Sequence, residues 1–186
     1  MTPLDPAVVE VLATAQRRGT IGPAPLERHI DHAFGFLPWI GEARSVLDLG
    51  TGAGLPGLVI AAARPELEVV LLDARQGRTD ELRRAVARLG WDHRVRVITG
   101  QAEVLCREPE LAAHFDVVVA RSFGPPRLTA PAAAPFLVEG GRLVVSEPPE
   151  PEDRWPAALL AKAGLRRLDD GTSSYACFQR ITSTRR

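Results

Sequence analysis

The stretch from Val46 to Gly57, which reads VLDLGTGAGLPG, indicates the fold of this chain. It overlaps a short apolar run, Ser45–Leu49, that is stopped by glycines, as is typical of a buried β-strand. Pro56 then suits the first turn of a helix, where its missing N–H is not needed. Between strand and helix, three glycines at alternate positions let the backbone pass within contact distance of a ligand; they are Gly50, Gly52 and Gly54. In an open α/β sheet such a turn lies at the carboxyl edge of the strands, where ligands bind.

Strands and helices alternate along the rest of the chain. Strands are expected at 45–49, 68–73, 95–98, 116–120 and 142–145, with two more near 165–168 and 175–181. Helices are expected at 56–63, 79–89, 101–106, 127–137 and 155–163. This alternation predicts an α/β fold with a mostly parallel, seven-stranded sheet that is covered on both faces.

The chain is expected to form one compact domain with a small appendage. Residues 1–44 are predicted to be an N-terminal helical cap, because apolar residues recur there at helical spacing. The apolar stripe consists of Leu26, Ile30, Ala33, Phe34 and Leu37. Residues 45–186 carry the alternating strands and helices, with an acidic, proline-rich loop expected at 147–153.

The composition narrows the function classes. Hydrophobic residues make up 45% and charged residues 25%, which is typical of a soluble globular protein. The longest uncharged run, Leu49–Ala63, is too short and too rich in glycine to span a bilayer, so no membrane partner is expected. With two cysteines and no secretory signal, a cytoplasmic location is expected. Because 23 basic residues balance 23 acidic ones, any RNA binding requires a local patch.

Two cofactors compete for the glycine-rich turn. The spacing of Gly52, Gly54 and Gly57 fits the dinucleotide fingerprint, but that fingerprint normally begins where the strand ends. Asp48 would also repel a pyrophosphate, whereas it would attract the amino group or the sulfonium-bearing arm of S-adenosylmethionine. Asp73 closes the next strand, 21 residues beyond Gly52, where a carboxylate can accept both ribose hydroxyls. These features favour S-adenosylmethionine; a dinucleotide, or a turn that serves only packing, remains an alternative.

The sequence resembles the glucose-inhibited division protein B family, most distinctively in the Leu-Pro-Gly that ends the turn. The similarity covers roughly residues 26–147. It extends through His29–Ala33, Leu71–Asp73, Gln101–Glu103, Phe115–Phe123 and Gly140–Leu143. The resemblance implies a Rossmann-like class I methyltransferase fold, with 45–186 as the methyltransferase domain. It also implies methylation of guanine N7 in small-subunit ribosomal RNA, with that RNA or a partly assembled small subunit as the partner.

The resemblance also implies a set of cofactor contacts. Gly50 and Leu55 would line the methionine arm, with Asp48 behind them, and Asp73 would hold the ribose. Ala102 and Glu103 would border the adenine, and Arg121 would lie beside the cofactor at the mouth of the substrate site. The complete expected cofactor-binding set is Asp48, Gly50, Gly52, Gly54, Leu55, Asp73, Ala102, Glu103 and Arg121.

No catalytic side chain and no metal site is predicted. Guanine N7 attacks through a lone pair without losing a proton, so positioning the acceptor suffices. The spacing of the histidines and cysteines does not match a metal site. Cys106 and Cys177 are expected to be buried small hydrophobes, and His29 and His32, on one helical face, either contact the pocket or cap the domain.

Several alternatives remain open from the residues. Arg121 either acts at the site or forms an ion pair with Asp48 or Asp116. Seven arginines between residues 75 and 96 form either an RNA footprint or a solvated helix face. Glu147-Pro148 stands where the family usually has Lys-Gly, which favours a methyltransferase with a small-molecule or protein acceptor. A nucleotide-binding module without catalysis is the third class.

Overall fold

A computed structural model describes residues 4–148, 154–169 and 174–181. Within them the seven predicted strands form one sheet, in the order β3-β2-β1-β4-β5-β7-β6. The strands are β1 (Ser45–Leu49), β2 (Glu68–Asp73), β3 (Val95–Thr99), β4 (Phe115–Ala120), β5 (Leu137–Ser146), β6 (Leu165–Arg167) and β7 (Tyr175–Arg180). All neighbouring pairs from β3 to β5 are parallel, and β7 runs antiparallel to both β5 and β6. The mostly parallel α/β sheet is therefore confirmed.

Helices cover both faces of the sheet. They are α1 (Pro6–Arg17), α2 (Leu26–Phe34), α3 (Leu37–Ile40), α4 (Gly57–Ala63), α5 (Gln76–Arg88), α6 (Ala102–Leu105), α7 (Pro126–Ala133) and α8 (Ala157–Ala163). One hydrophobic cluster joins α1, α2, α4 and α5 to one face of the sheet. A second cluster joins α6, α7 and α8 to the opposite face. Strands β1, β2 and β4 contribute side chains to both clusters, as expected for parallel strands buried on both sides.

In two helices a boundary differs from the sequence prediction by three residues or more. Helix α5 begins at Gln76 rather than Thr79. Its first turn was not predicted because it contains Gly77, and glycine disfavours helices. The helix expected at 127–137 ends at Ala133 and is followed by a 3₁₀ turn, Ala134–Phe136.

Strand β5 is correspondingly longer than predicted. It starts at Leu137, five residues before the expected Arg142. A register shift between Phe115 and Val117 on the paired β4 marks an irregularity there. Gly140, at φ +77°, belongs to the same interval and interrupts the apolar pattern that would have revealed the strand.

The N-terminal helices dock on the helical layer over β1. Apolar side chains of α1 and α2, including Leu12 and Ile30, share a cluster with Val46 of β1 and Leu58 of α4. Hydrogen bonds at three positions add to this packing. The Tyr175 hydroxyl donates to the His32 carbonyl, Arg142 donates to the Ile40 carbonyl, and Arg121 bonds to His29.

Two negative observations concern the described residues alone. No helix among them is long and apolar enough to cross a membrane. No group of three or more metal-ligating side chains comes together there.

The acidic loop expected at 147–153 is only partly described. Glu147 and Pro148 follow β5, and residues 149–153 lie outside the described ranges.

Candidate functional site

The carboxyl edge of β1, β2 and β4 brings the predicted site residues together. Strand β1 lies between β2 and β4, and the chain crosses from one side of the sheet to the other at this point. The turn after β1, the last residue of β2 and the first residue after β4 therefore meet at one edge. In open α/β sheets this reversal of strand order creates the ligand-binding crevice.

The glycine turn has a backbone that other residues adopt only under strain. Gly50, Gly52 and Gly54 have φ values of +71°, +59° and +97°. The N–H groups of Gly50 and Thr51 both donate to the carbonyl of Leu72, at 2.8 and 2.9 Å, which ties the turn to the end of β2.

Close packing explains the absence of side chains at two of these glycines. A Cβ on Gly50 would lie 2.5 Å from the Phe123 ring, and one on Gly54 would lie 2.4 Å from Leu58. A Cβ on Gly52 would find its nearest neighbour, the Arg75 guanidinium, at 3.8 Å. The turn thus has free space beside Gly52, where a ligand can approach the backbone.

Asp48 is fully buried beneath the turn. Its Oδ2 accepts hydrogen bonds from the Thr51 hydroxyl at 2.7 Å and the Gly57 N–H at 2.8 Å. Its Oδ1 is buried without a hydrogen-bond partner in the described part of the chain. Burial raises the pKa of Asp48 to about 6, although the two hydrogen bonds and the charge of Arg121 act in the opposite direction. An unpartnered carboxylate oxygen here suits a cationic or N–H-bearing ligand group.

Asp73 ends β2 and is held on three sides. Its carboxylate accepts from the Gly52 N–H at 2.9 Å and from the Arg75 backbone N–H at 2.9 Å. The Arg75 guanidinium makes two further bonds to it, each 3.0 Å long. Burial alone would raise the pKa of Asp73, but the hydrogen bonds from Arg75 and Gly52 outweigh it and lower the pKa. A ribose that used this carboxylate would therefore compete with Arg75.

A cavity of about 510 Å³ opens between the ends of β1, β2 and β3. We call it the nucleoside cavity. Of the predicted set it includes Gly50, Asp73, Ala102 and Glu103. The remaining lining residues are Leu72, Ala74, Arg75, Gly100, Gln101, Ser122 and Phe123.

The other predicted residues lie around the nucleoside cavity rather than in its wall. Asp48 is beneath the turn, and Gly54 and Leu55 pack into the core beside α4. Gly52 lines a groove between α1 and α5, and Arg121 lines a second cavity.

Arg121 follows β4 and faces the N-terminal helices. Its guanidinium lies 2.7 Å from Nδ1 of His29 and donates to the His29 carbonyl at 3.4 Å. Burial lowers the pKa of Arg121, and the charge of Asp48 opposes that shift. The alternative of an ion pair with Asp116 is wrong, because the Asp116 carboxylate instead accepts hydrogen bonds from the start of β1.

The second cavity, of about 380 Å³, adjoins the first, because Ser122 and Phe123 line both. We call it the acceptor cavity. Its wall also contains Arg121, Glu147 and His32; the remaining lining residues are Gly124, Val145, Ser146, Pro148, Arg154 and Trp155.

His32 and Glu147 give the acceptor cavity its polar character. Nδ1 of His32 is buried without a hydrogen-bond partner among the described residues, and burial lowers the pKa of this ring. His32 therefore lines this cavity, and its carbonyl also links α2 to β7 by accepting from the Tyr175 hydroxyl. The Glu147 carboxylate accepts from the Trp155 indole at 2.9 Å and from Arg154 at 3.2 Å.

Sequence reasoning missed Phe123 and Trp155 as parts of the site. The Arg-Ser-Phe that follows β4 was an available signal for Phe123, because strand ends carry ligand contacts in this fold. Trp155 lies eight residues after Glu147, across the loop that follows β5, and nothing in the sequence of that loop indicated that it brings the indole back to Glu147.

The two cysteines differ in burial. Cys177 is buried as predicted, and burial raises the pKa of its thiol to about 11. Cys106 is half-buried, with its thiol near the Glu103 carbonyl.

This topology, with a glycine turn at the crossover and an antiparallel seventh strand, defines a class I methyltransferase fold. The solved structure of an O-methyltransferase family protein from Burkholderia thailandensis superposes with a TM-score of 0.65 at 16% identity. The match covers 96% of this chain and 59% of that one.

The sequence assigns the chain within that class. The family model described as rRNA small subunit methyltransferase G matches residues 23–158, so the chain belongs to this methyltransferase family. A protein from Acidothermus cellulolyticus named Ribosomal RNA small subunit methyltransferase G is 43% identical over 173 residues, which are 88% of this chain and 74% of the relative. A protein of the same name from Kineococcus radiotolerans is 38% identical over 180 residues, 89% of this chain and 69% of the relative.

Proposed function

We propose that this protein transfers a methyl group from S-adenosylmethionine to N7 of a guanine in small-subunit ribosomal RNA. Membership of the rRNA small subunit methyltransferase G family is the observation that carries the proposal. The family match, residues 23–158, includes the segments that form both cavities.

The nucleoside cavity suits the adenosine of this cofactor. Asp73 supplies carboxylate oxygens for ribose hydroxyls, at the cost of its bonds to Arg75. Ala102 and Glu103 begin α6 at the far wall of the cavity, in position to border the adenine. Asp48 provides a buried negative charge and an unpartnered oxygen beneath the turn, which matches the positive charges of the methionine arm. A dinucleotide fits less well, because its pyrophosphate would meet that charge.

The acceptor base would enter the neighbouring acceptor cavity. Its shared wall, Ser122 and Phe123, lets an acceptor atom approach the nucleoside cavity. Arg121 and His32 lie in the same wall; the guanidinium can donate hydrogen bonds to a base, and the imidazole can donate or accept one. These residues orient the acceptor and exclude water, which is the main requirement when the methyl donor is already activated.

Bound S-adenosylmethionine supplies a methyl group that is already activated by a sulfonium. Because guanine N7 offers a lone pair and carries no proton, accepting that methyl group would require no proton to leave the base. The residues of the acceptor cavity therefore need only to position guanine N7, and no general base is required.

A methylation assay on defined RNA tests the proposal. Small-subunit ribosomal RNA from a strain lacking this protein should lack one N7-methylguanosine that is present in the parent strain. Purified protein with S-adenosylmethionine should restore that modification in small subunits from the deletion strain. Fully methylated RNA in the deletion strain would overturn the proposal.

A methyltransferase with a small-molecule acceptor is the second candidate. The observation that favours it is Glu147 in the wall of the acceptor cavity, at the family's lysine position, where its carboxylate offsets the positive charge of Arg154 at 3.2 Å and so weakens attraction for a phosphate. Cofactor binding without any change in ribosomal RNA methylation would support this candidate.

A further inference from the structure

A groove lies between α1 and α5, beside the glycine turn. The floor of the groove includes Gly52 and Ala53, so the groove reaches the turn itself. Its walls carry Arg18, Arg78, Arg84, Arg88 and Glu81; the remaining lining residues are Val11, Thr14, Ala15, Leu82 and Ala85. We call it the arginine groove.

The arginine groove is positively charged although the protein as a whole has a formal net charge of zero. Four arginines face a single carboxylate, Glu81, which pairs with Arg18 at 3.1 Å. Glu10 on α1 also lies near Arg88 but forms its ion pair with Arg17, at 2.8 Å. A positive excess therefore remains in the groove after these pairs are counted.

The structure separates the seven arginines between residues 75 and 96 into two groups. Four are engaged elsewhere: Arg75 with Asp73, Arg83 with Asp80, Arg96 with Glu110, and Arg94 over the Trp91 ring. The other three, Arg78, Arg84 and Arg88, line the arginine groove and form no ion pair with any carboxylate in the described ranges.

The spacing of these arginines suits an extended polyanion. Arg84 and Arg88 lie one turn apart on α5, about 6 Å along the helix axis, and both side chains are exposed. Guanidinium groups bind phosphate oxygens through paired N–H donors and hold their charge at all physiological pH values. A row of such groups ends at the glycine turn.

We propose that the arginine groove binds the phosphodiester backbone of the RNA substrate. This inference rests on the proposed function and adds the surface through which a protein of neutral charge holds RNA. Backbone contacts of this kind fix the position of the RNA without reading its sequence, so the base entering the acceptor cavity can be held separately.

Paired charge-removing variants test the groove. The test variant is Arg84→Ala with Arg88→Ala. The matched control is Arg107→Ala with Lys162→Ala, which also removes two exposed positive charges, from elements on the opposite face of the sheet. Affinity for small-subunit RNA is measured by fluorescence anisotropy over a series of salt concentrations, and adenosylhomocysteine binding by calorimetry.

The test variant should bind RNA at least about tenfold more weakly, with a shallower dependence of affinity on salt, because phosphate contacts release counterions. Adenosylhomocysteine binding should stay unchanged, and the control should bind RNA like the wild type. The variant Arg84→Lys with Arg88→Lys keeps both positive charges. It should therefore retain most of the wild-type RNA affinity, which would show that substitution at these positions does not by itself impair binding.

Equal RNA affinity in the test and control variants would overturn the proposal that the arginine groove binds RNA, while leaving the proposed function intact. Adenosylhomocysteine binding without RNA methylation by the wild type would instead overturn the proposed function, and the groove with it.

Discussion

Burying the ionised carboxylate of Asp48 costs folding free energy, and this cost depends on pH. Burial raises its pKa in the folded protein to about 6, above its ordinary value of 3.8. Between these two values the folded state holds a proton that the unfolded state has lost, so the contribution of Asp48 to stability falls as pH rises through this interval. Above pH 6 the full penalty of a buried carboxylate remains.

Replacing Asp48 with Asn should remove this pH dependence. The Asn carbonyl oxygen can accept the hydrogen bonds from Thr51 and Gly57 that Oδ2 accepts now. Between pH 4 and pH 7, the free energy of unfolding of the variant should rise relative to the wild type by about 1–3 kcal/mol. Urea unfolding at several pH values measures the difference, and parallel stability curves would contradict the assigned cause.

At the scale of single residues, the positions of the acidic site residues could be predicted from the sequence, but side-chain contacts between distant residues could not. Asp48 and Asp73 were predicted at the carboxyl edge of the sheet because each lies at or near the end of an apolar run that indicates a strand. The bond of Arg121 to His29 was not predictable, because the two residues are 92 positions apart and meet only after α2 docks. The cofactor roles assigned to these residues stay predictions.

The glycine turn is the element on which the proposed cofactor binding depends. A leucine at Gly52 would extend into the space beside Arg75, where no atom lies within 3.8 Å of the new Cβ. We expect Gly52→Leu to fold and to weaken adenosylhomocysteine binding by at least about tenfold, or 1.4 kcal/mol. Calorimetry gives the affinity and urea unfolding the stability.

Gly90 offers a control with matched backbone strain. It has φ +69°, close to the +59° of Gly52, and nothing lies within 4 Å of an added Cβ. Gly90→Leu should therefore lose a similar amount of stability, about 1–2 kcal/mol, without any loss of cofactor affinity. If both variants bound adenosylhomocysteine equally well, the placement of the cofactor beside Gly52 would be wrong.

Most elements could be predicted from periodicity and from glycine and proline positions. Strand β4 and helix α4 were recognisable because their apolar runs are bounded by polar or turn-forming residues. The first half of β5 was not recognisable, because its irregular pairing with β4 depends on the neighbouring strand rather than on the local sequence.

The whole molecule shares one core between the N-terminal helices and the sheet. Leu12 and Ile30 belong to the same hydrophobic cluster as Val46 and Val69. Unfolding of the N-terminal helices alone would therefore expose apolar side chains of the core to water. We expect a single cooperative unfolding transition, in which tryptophan fluorescence and circular dichroism change together in urea.

Tyr175→Phe tests whether the N-terminal helices and the sheet unfold together. Losing the hydroxyl that donates to the His32 carbonyl should lower the free energy of unfolding by about 0.5–1.5 kcal/mol and leave one transition. A separate early transition, or hydrogen exchange that is faster in α2 than in β1, would show that the N-terminal helices unfold independently.

The salt link between Arg75 and Asp73 has a consequence for how tightly any nucleoside is held. The carboxylate is satisfied before a ligand arrives, so a sugar that docks there trades one set of hydrogen bonds for another instead of adding a new set. Arg75, whose side chain is 63% exposed, is solvated at little cost once displaced. With the proposed cofactor, such an exchange would limit the affinity gained from the ribose and would ease the departure of the spent nucleoside after each turnover.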